Sequence, residues 1–257
     1  MLKISKQSPS GTIALNFPQT SNALSREMVS ALSEAFSDFH REKSVRAVIL
    51  TSSGSTFCSG VDLKQWHEVS QEPDPFLQWE EITTELQDLV EIMLRFPKPI
   101  IAALDGPVVG MGLALALASD LVVASPRATF SLPASKFGLI SGLVAPLLAF
   151  RCGGSFAARL LLGMETIEVQ EACRVGLVHY LVESEQIWAK SHDIAGRVAE
   201  CAAESVQMTK RLLNEMIGES LLTHLSNGTA ALATSCSTSV SQEGLAAFQE
   251  KRKPKFE

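Results

Sequence analysis

The sequence lacks an apolar segment long enough to cross a membrane. Its apolar segment at 108–118 has eleven residues and is followed by Ser119 and Asp120, whereas a spanning helix needs about 20 residues. The N-terminal residues MLKISKQSPS also lack the apolar run of a secretory signal. We therefore expect a cytoplasmic protein with no membrane contact, in which residues 108–118 form a buried helix.

Paired cysteines, metal-ligand spacing and excess positive charge are missing as well. The five cysteines are odd in number and are not spaced in pairs, which favours reduced thiols in an intracellular protein over a disulfide framework. The histidines do not have the spacing of metal ligands, so we predict no metal site. The net charge of −6 disfavours general binding to nucleic acid.

What the chain does contain is a succession of strand and helix patterns without a low-complexity linker. At 257 residues and 46% hydrophobic, it can bury one large core. Residues 26–40 follow Ser25, a suitable N-cap, and repeat apolar residues at helical spacing. Apolar and β-branched runs predict strands at 2–6, 12–17, 45–51, 99–104, 121–124 and 129–132. This alternation indicates an α/β fold.

Two further features organise the rest of the chain. Prolines within 71–75 interrupt the helix that begins after Asp62, and the next helix carries Phe76 on an apolar face opposite an acidic stripe that we interpret as solvated. From about Ser184 the pattern is almost wholly helical. We therefore divide the chain into a core, 1–195, and a helical C-terminal region, 196–257.

Two glycine-containing loops are the most informative feature of the sequence. FCSGVDL at 57–63 follows the strand pattern of 45–50, and DGPVVGMG at 105–112 runs into the apolar helix pattern of 113–118. A glycine lets a ligand approach the backbone closely, and an amide at a helix start has no intrahelical partner. Two such amides can form an oxyanion hole for a polarised carbonyl.

Six motifs, in order along nearly the whole chain, resemble the enoyl-CoA hydratase/isomerase family, also called the crotonase superfamily. They are PQTSNAL at 18–24, FCSGVDL at 57–63, PIIAALDG at 99–106, ASDLVVA at 118–124, GLV at 176–178 and EGLAAFQEKR at 243–252. The resemblance implies a crotonase-like spiral of repeated ββα units with a helical C-terminal region used in trimerisation. It also implies a homotrimer or a dimer of trimers that binds a small acyl-CoA molecule.

The resemblance implies a role for particular residues. The backbone amides of Val61 and Met111 match the two oxyanion donors, and the ligand is a CoA thioester rather than a permanently bound cofactor. Lys251, contributed by another subunit, matches a partner for a CoA phosphate, with Arg252 as the alternative; 251–255 can equally be a solubilising tail. The other residues that match CoA-binding positions are Ala23, Leu24, Ser59, Gly60, Asp62 and Leu63, together with Val61 itself.

The sequence departs from the family pattern where acid–base chemistry is expected. Family hydratases carry a glutamate on the helix after the second amide and another after a later proline, but these positions are Ala114 and Ala134 here. Gly142 stands near a position where some members have an aspartate. Methyl groups cannot transfer protons. Hydration usually needs both carboxylates and isomerisation one, so the resemblance supports acyl-CoA binding more directly than either reaction.

Other polar residues near the loops leave alternatives open. Lys64 and His67 follow the first loop, and Lys136 lies beside the second missing glutamate; each is also explained by a surface or packing role. We interpret Cys58 as a small apolar filler because no base is evident beside it. The length of the acyl chain is left open by the sequence, because the pocket wall depends on how segments such as 69–77 fold over the site.

Two functions therefore remain open at the level of the sequence. The first is an enzyme that acts through a thioester enolate, with hydration, isomerisation or decarboxylation unresolved. The second is a catalytically silent acyl-CoA-binding or assembly subunit.

Overall fold

In the computed structural model, which describes residues 1–216 and 219–256, nine strands form two sheets. All six predicted strands are present, and three strands of two residues each were not predicted. The strands are β1 Leu2–Gln7, β2 Ser10–Leu15, β3 Ala47–Ser52, β4 Ile100–Leu104, β5 Val108–Val109, β6 Leu121–Ala124, β7 Thr129–Ser131, β8 Ile167–Glu168 and β9 Tyr180–Leu181.

The larger sheet brings the two glycine loops to one edge. Its order is β1-β2-β3-β4-β6-β9, with β1 and β2 antiparallel and all other neighbours parallel. The smaller sheet has the order β5-β7-β8. Because β3 and β4 are adjacent and parallel, their carboxyl ends meet at the same edge of the sheet. The loops that follow these two strands are therefore neighbours.

Strand alternation divides the core into two layers. In β3, Val48 and Leu50 face the main core, whereas Ala47 and Ile49 face a smaller layer on the opposite side of the sheet. Each fully buried aliphatic side chain contributes about 1.5–3 kcal/mol. Covering both faces explains why the central parallel strands are almost wholly apolar.

Helix α1 begins where the sequence pattern predicts it. The first helix begins after Ser25, whose side chain accepts a hydrogen bond from the Met28 N–H as expected for an N-cap. The helices are α1 Arg26–Arg41, α2 Leu63–Ser70, α3 Phe76–Arg95, α4 Met111–Ala118, α5 Val144–Cys152, α6 Gly154–Gly163, α7 Val169–Arg174, α8 Ile187–Ala199, α9 Ala203–Arg211, α10 Glu219–Cys236 and α11 Ser239–Gln249.

The proline break separates α2 from α3 as predicted, but one residue of the α3 pattern was misplaced. Phe76 is 41% exposed because it begins the helix, one turn before the residues that face the core. The acidic stripe lies on the outer side, where Arg26 of α1 pairs with Glu81 and Glu85. The solvated interpretation of the stripe is thus confirmed.

The buried helix predicted at 108–118 is correct except at its start. Val108 and Val109 form β5 and pair with Phe130 and Ser131 of β7, so the helix begins only at Met111. Every residue of α4 is buried. Val108 and Val109 could not be recognised as a separate strand in the sequence, because they belong to the same continuous apolar run as the helix.

The C-terminal part is helical, as expected, and packs on the core of the same chain. Besides α8–α11 it contains a π-helical turn at Leu212–Met216. The predicted division between 1–195 and 196–257 stays a prediction, although α8 continues through position 195. Among the described residues, no helix is both long and apolar enough to span a bilayer.

A buried lysine attaches α9 to this core. Lys210 Nζ donates to Asp120 Oδ2 (2.7 Å) and to the carbonyl oxygens of Met93 (3.1 Å) and Lys98 (3.2 Å). All three donors of the ammonium group are therefore satisfied. Burial lowers the pKa of Lys210, while Asp120 opposes that shift. The pair connects α9 to α3, to the segment before β4 and to the segment before β6.

We expect Lys210→Met to destabilise the protein by about 3–5 kcal/mol, because it leaves Asp120 without its cation. For a chain of this size the melting temperature should fall by about 6–20 °C. The matched control is Arg211→Met, since Arg211 is 60% exposed and its ion pair within the described residues is a surface contact with Glu215. Equal melting temperatures for the two variants would contradict a structural role for the buried pair.

Candidate active site

A buried asparagine fixes the first loop. Asn22 is fully buried in a left-handed conformation (φ 56°). Its Oδ1 accepts from the Phe17 N–H (2.8 Å), and its Nδ2 donates to the carbonyl oxygens of Ser53 (2.9 Å) and Thr56 (2.8 Å). These bonds connect the turn before α1 to the loop after β3, so the start of that loop is held by a fully paired amide.

Pairing with Leu24 leaves the Val61 amide free to face the other side. The Leu24 N–H donates to the Gly60 oxygen (2.7 Å), and the Asp62 N–H donates to the Leu24 oxygen (3.1 Å). In an extended segment paired in this way, the intervening residue directs its N–H away from its partner. The Val61 N–H accordingly has no backbone acceptor among the described residues.

The second loop presents the first amide of α4. Val109 donates to the Cys58 oxygen (2.9 Å), and Gly110 donates to the Ser131 oxygen (3.0 Å), which fixes the loop between the two sheets. Met111 is the first residue of α4, and its N-cap residue Gly110 offers no side chain. The Met111 N–H therefore lacks an intrahelical partner and lies at the positive end of the helix dipole.

Glycines allow these two loops to touch. Gly60 has φ 96° and Gly110 has φ 53°, and both angles lie where side chains are disfavoured. A Cβ at Gly60 would lie 3.1 Å from the Val109 oxygen and 3.4 Å from the Met111 nitrogen. The residue before Val61 is thus in contact with the amide of Met111.

An apolar cavity of about 70 Å³ lies beside the two amides. Within the described part of the chain, no Asp, Glu, His, Lys, Arg, Cys or Tyr side chain lines it, so it has no group that titrates near neutral pH. Its polar side-chain atoms belong to two serines and a tryptophan. The lining residues are Ser59, Gly60, Val61, Leu63, Trp66, Val109, Gly110, Met111, Pro133, Ala134, Phe137, Leu139, Ile140, Ser141, Gly142, Leu143, Val144 and Leu232.

The cavity brings together only part of the predicted acid–base positions. Ala134 and Gly142 line it, together with Val61 and Met111. Ala114 does not line it and is completely buried within α4. A side chain introduced at 134 would therefore enter the cavity, whereas one introduced at 114 would first need space within the packed core.

None of the alternative titratable residues lines the cavity. Lys64 and Lys136 are exposed, and Nδ1 of His67 is buried without a hydrogen-bond partner among the described residues. Cys58 is fully buried, and burial raises the pKa of its thiol to about 12. Its sulfur remains protonated at neutral pH and packs near Gly112, in agreement with its interpretation as an apolar filler.

The residues predicted to contact CoA fall into two groups. Ala23 and Leu24 are buried beside the first loop, and Asp62 caps α2 by accepting from the N–H groups of Lys64 (3.0 Å) and Gln65 (3.3 Å). Lys251 is exposed at the end of α11 and forms no ion pair within the described residues. Arg252, by contrast, pairs with Glu243 and Glu250.

Much of the cavity wall was missed by the sequence analysis. Trp66 could have been found, because it stands three residues after Leu63 and so shares a face of α2. Segment 137–144 and Leu232 carry no comparable signal. No residue of segment 69–77, whose contribution the sequence left open, lines the observed cavity. The proline break ends α2 and directs the chain away.

Comparison with known proteins gives one consistent result. A model described as enoyl-CoA hydratase/isomerase matches residues 6–257. The mitochondrial methylglutaconyl-CoA hydratase of Mus musculus is 32% identical over 251 residues, covering 95% of this chain and 78% of that protein.

Solved structures agree. An enoyl-CoA hydratase/isomerase from Xanthobacter autotrophicus Py2 has a TM-score of 0.89 at 27% identity, covering 97% of this chain and 93% of the other. One from Pseudoalteromonas atlantica T6c has a TM-score of 0.86 at 30% identity, covering 100% of this chain and 99% of the other. The mixed α/β architecture is therefore the crotonase fold predicted from the motifs.

We expect Gly60→Val to weaken binding of a short acyl-CoA by about tenfold or more. The new side chain would meet Val109 and the Met111 amide, and valine would be held at a positive φ that is unfavourable for it. Calorimetric titration measures the affinity, and circular dichroism checks folding. Gly196→Val is the matched control, because no atom lies within 4 Å of a Cβ at Gly196. Equal affinities for the two folded variants would count against this site.

Proposed function

Because the chain belongs to the enoyl-CoA hydratase/isomerase family, we propose that it binds an acyl-CoA thioester and stabilises the enolate form of that thioester through the Val61 and Met111 amides. The acyl group would occupy the apolar cavity, with its carbonyl oxygen between the two N–H groups. Negative charge on that oxygen grows as the enolate forms. Fixed donors that favour this charge lower the barrier without having to reorganise.

One observation carries the proposal, namely the contact between the two loops at the cavity. The Val61 N–H points away from its Leu24 partner, and the Met111 N–H begins a helix just beside Gly60. A buried N–H without a partner costs about 1–3 kcal/mol. A ligand oxygen placed between the two amides would remove that cost for both at once.

The remaining CoA contacts are part of the same proposal. The first loop, 59–63, would lie against the adenine, with Ala23 and Leu24 behind it. Lys251 would pair with a CoA phosphate, since its ammonium group is exposed and forms no ion pair in the described chain. A homotrimer or dimer of trimers is proposed on the family resemblance alone.

The reaction is constrained by the absence of a titratable side chain in the cavity. By the family resemblance, Ala134 and Ala114 match the two glutamate positions; Ala134 lines the cavity, and Ala114 is buried inside α4. Ser59 and Ser141 can donate hydrogen bonds, but a hydroxyl of ordinary pKa is a poor general base. Water addition to an enoyl thioester needs proton transfer at two atoms. This lining is compatible with the oxyanion function, but its described side chains offer no group for the proton transfers that hydration needs.

The same observation favours decarboxylation as a second reaction. In a 2-carboxyacyl thioester the bond between Cα and the carboxylate breaks, CO₂ leaves, and its electron pair forms the enolate; water then protonates Cα. No protein base is required for bond cleavage. A cavity without a cation would also destabilise the substrate carboxylate relative to CO₂. A silent acyl-CoA-binding or assembly subunit would instead bind thioesters and convert none of them.

We expect the wild-type protein to hydrate crotonyl-CoA about 10²–10⁴ times more slowly than a family member that has both glutamates, because a positioned acid or base contributes this much. Loss of absorbance of the conjugated thioester measures the rate. Calorimetry with butyryl-CoA, which cannot be hydrated, measures binding separately. Turnover at the rate of an efficient hydratase would refute the assignment of Ala114 and Ala134.

We expect the double variant Ala114→Glu/Ala134→Glu to gain measurable hydratase activity if it folds. The carboxylate at 134 enters the cavity, while the one at 114 is buried, which raises its pKa and reduces stability. Both single variants separate these effects. Ala114→Gln/Ala134→Gln is the matched control, because it has nearly the same size without a proton-transfer group. A folded, butyryl-CoA-binding double Glu variant with no more turnover than its Gln control would favour the decarboxylase or the silent subunit.

A further inference from the structure

Helix α10 packs directly against the backbone of the cavity wall through a contact between two glycines. A Cβ at Gly142 would collide with the backbone carbonyl of Gly228 in α10, and a Cβ at Gly228 would collide with that of Gly142. Only two glycines permit this approach. Helix α11 packs beside the cavity in a similar manner, since Gly244 lies against the Phe137 carbonyl. The rings of Phe248 and Phe137 pack edge-on, with their centroids 5.7 Å apart.

This contact brings one side chain of α10 into the cavity wall. Leu232 is one helical turn after Gly228 and is therefore on the same face. It is 4% exposed, and its Cβ would lie 3.2 Å from a Cβ at Gly142. All other lining residues in the described chain come from 59–66, 109–111 and 133–144. Leu232 thus closes the cavity from the C-terminal helices of the same chain.

The position and size of the cavity indicate what Leu232 does. The cavity is small, at about 70 Å³, which suits a short acyl chain better than a long one. We propose that Leu232 sets the length of the acyl group that the cavity accepts, and that the wild-type protein therefore selects short acyl chains. This inference rests on the proposed acyl-CoA binding and adds the residue that limits it.

The selectivity follows from packing. Protein interiors are close-packed, so an acyl chain that extends as far as Leu232 or Gly142 must displace them or the backbone behind them. The Gly142–Gly228 backbone contact resists such a shift because neither partner has a side chain that could rotate away. Shortening Leu232 removes three carbon atoms from the wall without disturbing that contact. The added space should then be available to a longer chain.

Calorimetric titrations of butyryl-CoA and octanoyl-CoA test the inference on the full-length protein. The quantity compared is the ratio of the octanoyl-CoA Kd to the butyryl-CoA Kd, which cancels any general loss of affinity. We expect a ratio above one for the wild type and a ratio about tenfold lower or less for Leu232→Ala, within the range by which small changes in an apolar pocket discriminate ligands. Leu225→Ala is the matched control, because Leu225 is fully buried on the same helix and does not line the cavity.

The outcomes separate this inference from the proposed function. An unchanged ratio in folded Leu232→Ala, with both thioesters still bound, overturns the role of Leu232 alone. Binding of neither thioester by the folded wild type refutes the proposed function and this inference with it. A shift of the ratio in Leu225→Ala as large as in Leu232→Ala also contradicts the inference. If Leu232→Ala does not fold, Leu232→Val should shift the ratio in the same direction by a smaller factor, and an unchanged ratio there is equally decisive.

Discussion

The site depends on the contact between Gly60 and the loop that contains Gly110. Both residues have positive φ, and a side chain at Gly60 would meet the backbone of the second loop. The neighbouring strands β3 and β4 deliver these loops to one edge, and Asn22 fixes the first of them. Sheet order, the buried asparagine and the glycine conformation together place Val61 and Met111 at one small cavity.

The chemical character of that volume limits what its described wall can do. The wall is apolar, with no titratable side chain in the described lining. The side chains of that lining therefore supply no general acid or base. Under the proposed function, the protons would come from water or from the substrate, and the backbone dipoles would stabilise the charge on the carbonyl oxygen.

The C-terminal helices complete the site as well as the fold. Lys210 joins α9 to the segments before β4 and β6, and the Gly142–Gly228 contact presses α10 against the cavity. As a result, Leu232 contributes to a pocket whose other residues lie far earlier in the chain. The predicted use of the C-terminal region in trimerisation remains a prediction, whereas its contact with the same chain's cavity is observed.

The local features could be predicted from the amino-acid sequence: the Ser25 cap, the six longer strands, the proline break and the order of the two glycine loops. These depend on neighbouring residues and on periodicity, which a linear pattern records. Tertiary structure alone decided that Val108 and Val109 pair as a strand, that Ala134 but not Ala114 lines the cavity, and that Leu232 closes it. Each of these outcomes depends on a contact between distant segments, and an apolar run looks the same in sequence whichever segment it packs against.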